Sequence, residues 1–329
     1  MTITPQTNAT LAEIADVIRD NDDFVICGHV SPDGDCIGCQ LALAHALWAM
    51  GKSATCVLVR DDSVGAALEF LPGIDRMIPA QAYDGPCKTF VAVDVPARNR
   101  IGDAACALLD RADVSITIDH HACDTAMCQH VYVDRDVASA SMLVWDVVKE
   151  LIDEPPLESA ICAYTGLVTD TGGFRFQNSD SAAFDAAASF VAYGVNPALV
   201  ATNVFQNRSM ASLQLGALVT KRMEVLCDGQ AAISWVGKDD LDRFGADNTD
   251  VEPLIDTVRE LAGIRVACML RDQNGKVRGN LRSKDDTDVS ALARELGGGG
   301  HKAAAGFTLD FPMHEALEYM KPKLAAMFD

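Results

Sequence analysis

Three short clusters of carboxylate and imidazole side chains punctuate the chain: His29-Val-Ser-Pro-Asp33-Gly-Asp35, Asp94 within Val-Ala-Val-Asp-Val-Pro, and Asp119-His120-His121. A fourth candidate, Asp170, stands in Thr-Asp-Thr-Gly-Gly-Phe. Hard oxygen donors mixed with imidazoles, without paired thiolates, suit Mn2+ or Mg2+ better than structural zinc. Several carboxylates and a few histidines converging on one point are what a two-metal phosphoesterase needs.

Each cluster also has a plainer reading. The aspartates of the first loop could simply cap the helix that follows, since Asp near a helix start is favourable. Asp94 reads equally as a turn residue, and Asp170, before Gly172-Gly173, as a helix cap. Asp119-His120-His121 is the strongest of the set: a charge buried there would be costly unless paired or metal-bound. Together the clusters reinforce one another, because a two-metal site needs several ligands on one edge. His45 and His130 read as ordinary helix and strand residues.

The elements that must position these side chains alternate. Strands are expected at Phe24–Gly28, Thr55–Val59, Thr89–Val93 and Ser115–Ile118, with helices at 36–50, Ser63–Phe70 and Arg98–Arg111. Such alternation implies an α/β fold with a largely parallel sheet covered on both faces. Ligands bind beyond the carboxyl ends of strands in such sheets. His29, Asp94 and Asp119 each follow a predicted strand, so the placement rule and the donor chemistry point to the same edge. After Val131–Val133 the pattern turns helical, at 138–152, 157–169, 181–193 and 197–222. The expected organisation is a catalytic domain over 1–195, a connecting helix over 196–222 and a smaller α/β domain over 223–329. In the latter, strands are expected at 231–236, 264–270 and 276–281, with a hairpin turn at Asp272–Gly275 and helices at 288–296 and 313–325.

The second domain carries its own candidate site: Arg282-Ser283-Lys284, then Gly297-Gly298-Gly299-Gly300-His301-Lys302. Consecutive glycines let backbone N–H groups approach a phosphate closely. An Arg and a His beside them suit phosphate and base contacts. A flexible linker is the alternative for four glycines, but the flanking helix and strand patterns oppose it. No GxxxxGK[ST] occurs, which excludes a P-loop.

A formal net charge of −20 excludes a protein that coats long duplex nucleic acid. Residues 263–302, however, hold eight Lys/Arg against five Asp/Glu, as a small anionic ligand held at one site would need. The 11 cysteines are an odd, scattered set and read as reduced thiols. Cys36 and Cys39 form the one CxxC pair and read as packed core residues. No apolar run has the length of a membrane span. The start lacks a basic region followed by an apolar stretch, so a cytoplasmic protein is expected.

These motifs resemble the DHH phosphoesterase superfamily with its associated DHHA1 domain, over nearly the whole chain. The branch they resemble most is the nanoRNase type, the oligoribonucleases that also hydrolyse 3′-phosphoadenosine-5′-phosphate (pAp). The resemblance implies two Mn2+ ions, with Mg2+ or Co2+ as alternatives. His29, Asp33 and Asp94 would hold one. Asp35, Asp94, His120 and Asp170 would hold the other, with Asp94 bridging. His121 would face the substrate phosphate, and Asp119 would orient the histidines. Arg282, Ser283, Gly298, Gly299, Gly300 and His301 would bind the nucleotide, with the site in a cleft between the domains. The implied substrates are short single-stranded RNA or DNA oligonucleotides, pAp and dinucleotides, and helix 137–152 is a homodimer candidate by analogy alone. A phosphodiesterase of cyclic or linear dinucleotides (c-di-AMP, pApA, pGpG), a family II pyrophosphatase and a catalytically inactive nucleotide sensor are the competing readings. The pyrophosphatase reading is opposed by the Arg-Ser and Gly-rich motifs, and the sensor by the intact ligand set. The chain departs from the family pattern at Cys36 and Cys39, where Ala and Ser are usual, and at Asp124, where Asn is frequent.

Overall fold

The apolar runs of the first half form six strands in a computed structural model that describes residues 4, 6–61, 64–121, 125–273 and 275–328. They are β1 (Phe24–Cys27), β2 (Ala54–Leu58), β3 (Ile78–Pro79), β4 (Thr89–Val93), β5 (Val114–Asp119) and β6 (His130–Val133). Their order is β3-β2-β1-β4-β5-β6, every neighbouring pair parallel. All carboxyl ends therefore lie on one edge. The winding reverses between β1 and β4, and the crevice beyond such a reversal is where open α/β sheets bind ligands.

Helices α1 (Leu11–Asp20), α2 (Gly34–Ala49), α3 (Gly102–Arg111), α4 (Ala140–Leu151), α5 (Leu157–Asp170), α6 (Ser181–Tyr193) and α7 (Pro197–Phe205) complete this unit. Alternation along β1 splits its side chains between two cores. Phe24 and Ile26 join α1, α2, α4 and α5, whereas Val25 and Cys27 join α3. Burial on both faces explains why these strands read as continuous apolar runs. Helices α2 and α5 approach closely. A Cβ on Gly166 of α5 would come within 2.5 Å of Asp35 Oδ1, so glycine there is what lets α5 pack against the acidic first turn of α2.

Several expectations need correction. The helix expected at Ser63–Phe70 is a single 3-10 turn, Ala66–Leu68. Gly65 before it is extended, with ψ 142°, and the Pro72-Gly73 turn follows too soon for a longer helix. Residues 62–63 lie outside the described residues. The helix expected from Arg98 begins at Gly102, whose φ of +68° separates it from a 3-10 turn at Arg98–Arg100. The single connecting helix expected at 196–222 is two helices, α7 and α8 (Met210–Arg222). The chain leaves helical geometry at Gln206, and the Ser209 side chain caps a new start by accepting from Ser212 N. The compact units divide between them, at Met1–Asn207 and Arg208–Asp329.

The second unit holds β7 (Glu224–Leu226), β8 (Ala231–Val236), α9 (Lys238–Phe244), α10 (Asn248–Val251), α11 (Leu254–Arg259), β9 (Val266–Gln273), β10 (Lys276–Ser283), α12 (Val289–Glu295), β11 (Gly299–His301), β12 (Ala304–Leu309) and α13 (Met313–Ala325). Its sheet runs β11-β12-β10-β9-β8-β7, antiparallel except for the β8–β9 pair. Helices α12 and α13 cover one face. Helices α8, α10 and α11 cover the other over β8 and β9. The turn expected at Asp272–Gly275 joins β9 to β10, with Asn274 outside the described residues. Among the described residues no single helix is long and apolar enough to cross a membrane.

Candidate metal centre and nucleotide-binding face

Beyond β1 the chain turns sharply, with Ser31 at φ +61°, and Asp33 caps α2. Its Oδ1 accepts from the backbone N–H groups of Asp35 and Cys36, each at 3.1 Å. The other oxygen, Oδ2, stands 3.8 Å from His29 Nε2. One carboxylate thus caps the helix and also faces the His29 ring. Asp35, in the first turn of α2, is buried. It accepts from Ala140 N at 2.7 Å and Ser141 N at 3.0 Å, at the positive end of α4. These bonds fix it without a side-chain cation.

Asp94 sits at the centre. It follows β4 in left-handed backbone geometry, φ +53°, and is buried. Its Oδ2 lies 3.4 Å from His29 Nε2, and its Oδ1 lies 3.4 Å from both His120 Nε2 and His121 Nδ1. His120 Nε2 is also 3.9 Å from Asp35 Oδ2 and 3.6 Å from Asp170 Oδ2, the last residue of α5. The fold therefore brings His29, Asp33, Asp35, Asp94, His120 and Asp170 to one place, together with Asp119 and His121.

These residues fit divalent ions. Separations of 3.4–3.9 Å are long for hydrogen bonds. Donors sharing one ion at about 2.1 Å lie roughly 3–4 Å apart. Asp94 Oδ1 is buried and makes no hydrogen bond. The ring Nδ1 atoms of His29 and His120 face the carbonyls of Val30 (3.0 Å) and Val137 (3.3 Å). With Nδ1 donating to these carbonyls, Nε2 is the nitrogen each ring would offer to an ion.

The electrostatics describe a site short of positive charge. Burial alone would lower the His29 imidazole, but the carboxylates of Asp94 and Asp33 outweigh it and raise it to about 9. Burial likewise opposes protonation of His120, yet Asp94, Asp170 and Asp35 hold its pKa well above the usual range. Burial and repulsion from Asp94 push Asp35 up to about 7, and burial pushes Asp170 well above the carboxylate range. Asp94 is held well below that range: against the cost of its burial it faces His120 and His29. Protons thus carry the compensating charge that cations would supply.

His121 is set differently. Its Nδ1 lies 2.8 Å from Asp119 Oδ1, and Asp119 is fully buried at the end of β5. Asp119 thus orients the ring, and the His121 side chain is 21% exposed, against 6% for His120. Residues 122–124, Asp124 among them, lie outside the described residues.

In the second unit the glycine tract is part of a β-hairpin. Arg282 on β10 and His301 on β11 are both paired with Ala304 on β12. Directly opposed residues point to one face. With strands about 4.8 Å apart, Arg282 and His301 stand roughly 10 Å apart over a small Ala304 floor. One step along, Asn280 and Gly299 flank Gly306. Arg278, Asn280 and Arg282 alternate along β10 on this polar face, while Val277, Leu281 and Ser283 turn the other way. The Ser283 hydroxyl donates to the Asp285 carbonyl at 2.8 Å, apart from Arg282. Arg278 and Asn280 were not singled out from the sequence, although the polar–apolar alternation of Lys-Val-Arg-Gly-Asn-Leu-Arg-Ser was the signal. The glycines differ in role. A Cβ on Gly298 would meet the Gly306 carbonyl at 2.1 Å, whereas a Cβ on Gly299 would meet nothing.

Family and fold comparisons agree with this architecture. Residues 23–167 match the model of the DHH family, N-terminal domain, and residues 228–324 match the DHHA1 domain. A relative named bifunctional oligoribonuclease and PAP phosphatase NrnA, from Thermus thermophilus, is 31% identical over 284 residues, 86% of this chain and 83% of that protein. The crystal structure of an exopolyphosphatase-related protein from Bacteroides fragilis superimposes with a TM-score of 0.88 at 24% identity, over 98% of this chain and 96% of that one. RecJ from Thermus thermophilus, in complex with Mn2+, shares the fold with a TM-score of 0.60 at 16% identity, over 97% of this chain and 55% of that one. With the DHH triplet at 119–121 on the edge of a parallel sheet and a DHHA1 domain later in the sequence, the chain belongs to the DHH family.

Proposed function

We propose that the chain is a metal-dependent phosphoesterase that hydrolyses short single-stranded oligonucleotides, about two to five nucleotides long, to nucleoside 5′-monophosphates, and pAp to AMP. The observation that carries this is Asp94, a buried carboxylate with three imidazoles at 3.4 Å. His29, Asp33 and Asp94 would hold one divalent ion and Asp35, Asp94, His120 and Asp170 a second, Mn2+ by preference, with Mg2+ or Co2+ as alternatives. Bound there, the ions would lower the pKa of a water and neutralise charge on the reacting phosphate. His121, held by Asp119, contacts a phosphate oxygen. Arg282 and His301 grip the far phosphate and base of the nucleotide. The backbone of Gly298, Gly299 and Gly300 allows close approach, and Ser283 steadies the turn behind Arg282. The similarity to an oligoribonuclease and pAp phosphatase supports this substrate class over the others.

The test is a Mn2+ assay of the purified protein on pAp, pGpG, a five-nucleotide RNA, c-di-AMP and pyrophosphate. Highest kcat/KM on pAp and the short RNA is expected. Preference for c-di-AMP or pyrophosphate would reject this reading.

A further inference from the structure

Asn280 is the middle residue of the polar face of β10, with Arg278 two residues before it and Arg282 two residues after. It is half-buried, and among the described residues its side-chain amide makes no hydrogen bond. Its cross-strand neighbour on β12 is Gly306, and beyond that stands Gly299 on β11. Neither carries a side chain, so the floor beside the amide is backbone across two strands. Arg278 leans over this floor from one side: a Cβ on Gly306 would come within 2.6 Å of its Nη2. On the other side, one step along the sheet, stand Arg282 and His301. Met269, the neighbour of Asn280 on β9, is buried in the core under α8 and α11, which closes that end. Gly299 is exposed and leaves the opposite end open. The result is a slot with an amide at its base and flat cationic or aromatic groups along its walls. Such walls suit a planar base, which stacks on guanidinium planes and imidazoles. A carboxamide sets an acceptor beside a donor. Adenine offers the matching pair, its N6 amino group and N7, on one edge. Guanine has two acceptors there, O6 and N7, which leave the amide oxygen without a donor.

We propose that Asn280 reads the base of the bound nucleotide and selects adenine over guanine. This rests on the nucleotide-binding face proposed above. The amide NH2 donates to N7, and the amide oxygen accepts from the N6 amino group. Arg278 and His301 hold the two faces of the ring.

Three substrates that differ only in the base test this: pAp, 3′-phosphoguanosine-5′-phosphate (pGp) and 7-deaza-pAp, which has C–H in place of N7. The full chain is assayed on each with Mn2+. Wild type is expected to favour pAp over pGp by about tenfold or more in kcat/KM, the discrimination of one bidentate contact. Losing N7 removes one hydrogen bond, so 7-deaza-pAp should be about threefold or more poorer than pAp. In Asn280→Ala the ratio of pAp to pGp should collapse towards one, and the 7-deaza change should cost nothing further. Asn280→Asp, which sets a carboxylate against N7, should fall further on pAp than Asn280→Ala. Melting temperature and manganese content are measured in parallel and should match wild type. The 7-deaza comparison in wild type needs no variant to fold. Equal kcat/KM on pAp and pGp in wild type would overturn the base reading and leave the phosphoesterase standing. A folded Asn280→Ala that keeps the wild-type ratio would do the same. Hydrolysis of none of the three would overturn the proposed function, and the base reading with it.

Discussion

Asp94 is the residue on which the site converges. It faces three imidazoles from a strained strand end, so it should matter more than any ligand on one side. Asp94→Ala is expected to lose at least ~10³-fold in rate, roughly 4 kcal/mol of transition-state stabilisation. A folded variant with a tenth of wild-type kcat would exclude the central role. Asp119 acts through His121, so Asp119→Asn should lower kcat by about 10- to 100-fold with metal content unchanged. Loss of metal in that variant would make Asp119 a ligand instead. Proton linkage gives a third expectation. His29 and His120 hold protons above the usual imidazole range, and Asp35 and Asp170 above the usual carboxylate range. An ion needs all four deprotonated. Binding should therefore release protons, and Mn2+ affinity by calorimetry should rise from about pH 6 to about pH 8.5. Affinity that is flat over this range would contradict the assignment. At this scale the sequence was most legible: every metal-ligand candidate singled out from residue type and spacing lies at one sheet edge.

Elements were read with uneven success, and the failures have physical causes. Strands β1, β4 and β5 are buried on both faces, so each appears as an unbroken apolar run. The break between α7 and α8 depends on a Ser209 cap inside a continuous helical pattern, and a lone Ser is weak punctuation. Glycine carries no strand signal, so nothing in the tract announced the pairing of Gly299–His301 with β12. That pairing separates two glycines experimentally. Gly298→Ala should cost about 1–3 kcal/mol and lower the melting temperature, since the added carbon overlaps the Gly306 carbonyl. Gly299→Val should leave stability unchanged and lower kcat/KM on the five-nucleotide RNA. Unchanged kinetics would remove the hairpin from the nucleotide path. Arg282→Ala, losing a charge-assisted contact of about 1.5–3 kcal/mol, should lower kcat/KM by about 10- to 150-fold at constant manganese content.

At the scale of the whole molecule, each unit owns its cores: two cover the faces of the parallel sheet, and two cover the mixed sheet. The proposed metal ligands all lie in the first unit, and the locally basic segment 263–302 lies in the second. This division of charge was legible from composition, and the units divide within the stretch 196–222 that was read as the connection. The central claim is that hydrolysis depends on ions held around Asp94. The most direct test strips the protein of metal, verifies this by elemental analysis, and measures kcat/KM on pAp before and after Mn2+ is restored. The expected result is activity lost with the metal and regained with it in wild type, with little regained in Asp94→Ala. Full activity in protein that elemental analysis finds free of metal would contradict the claim.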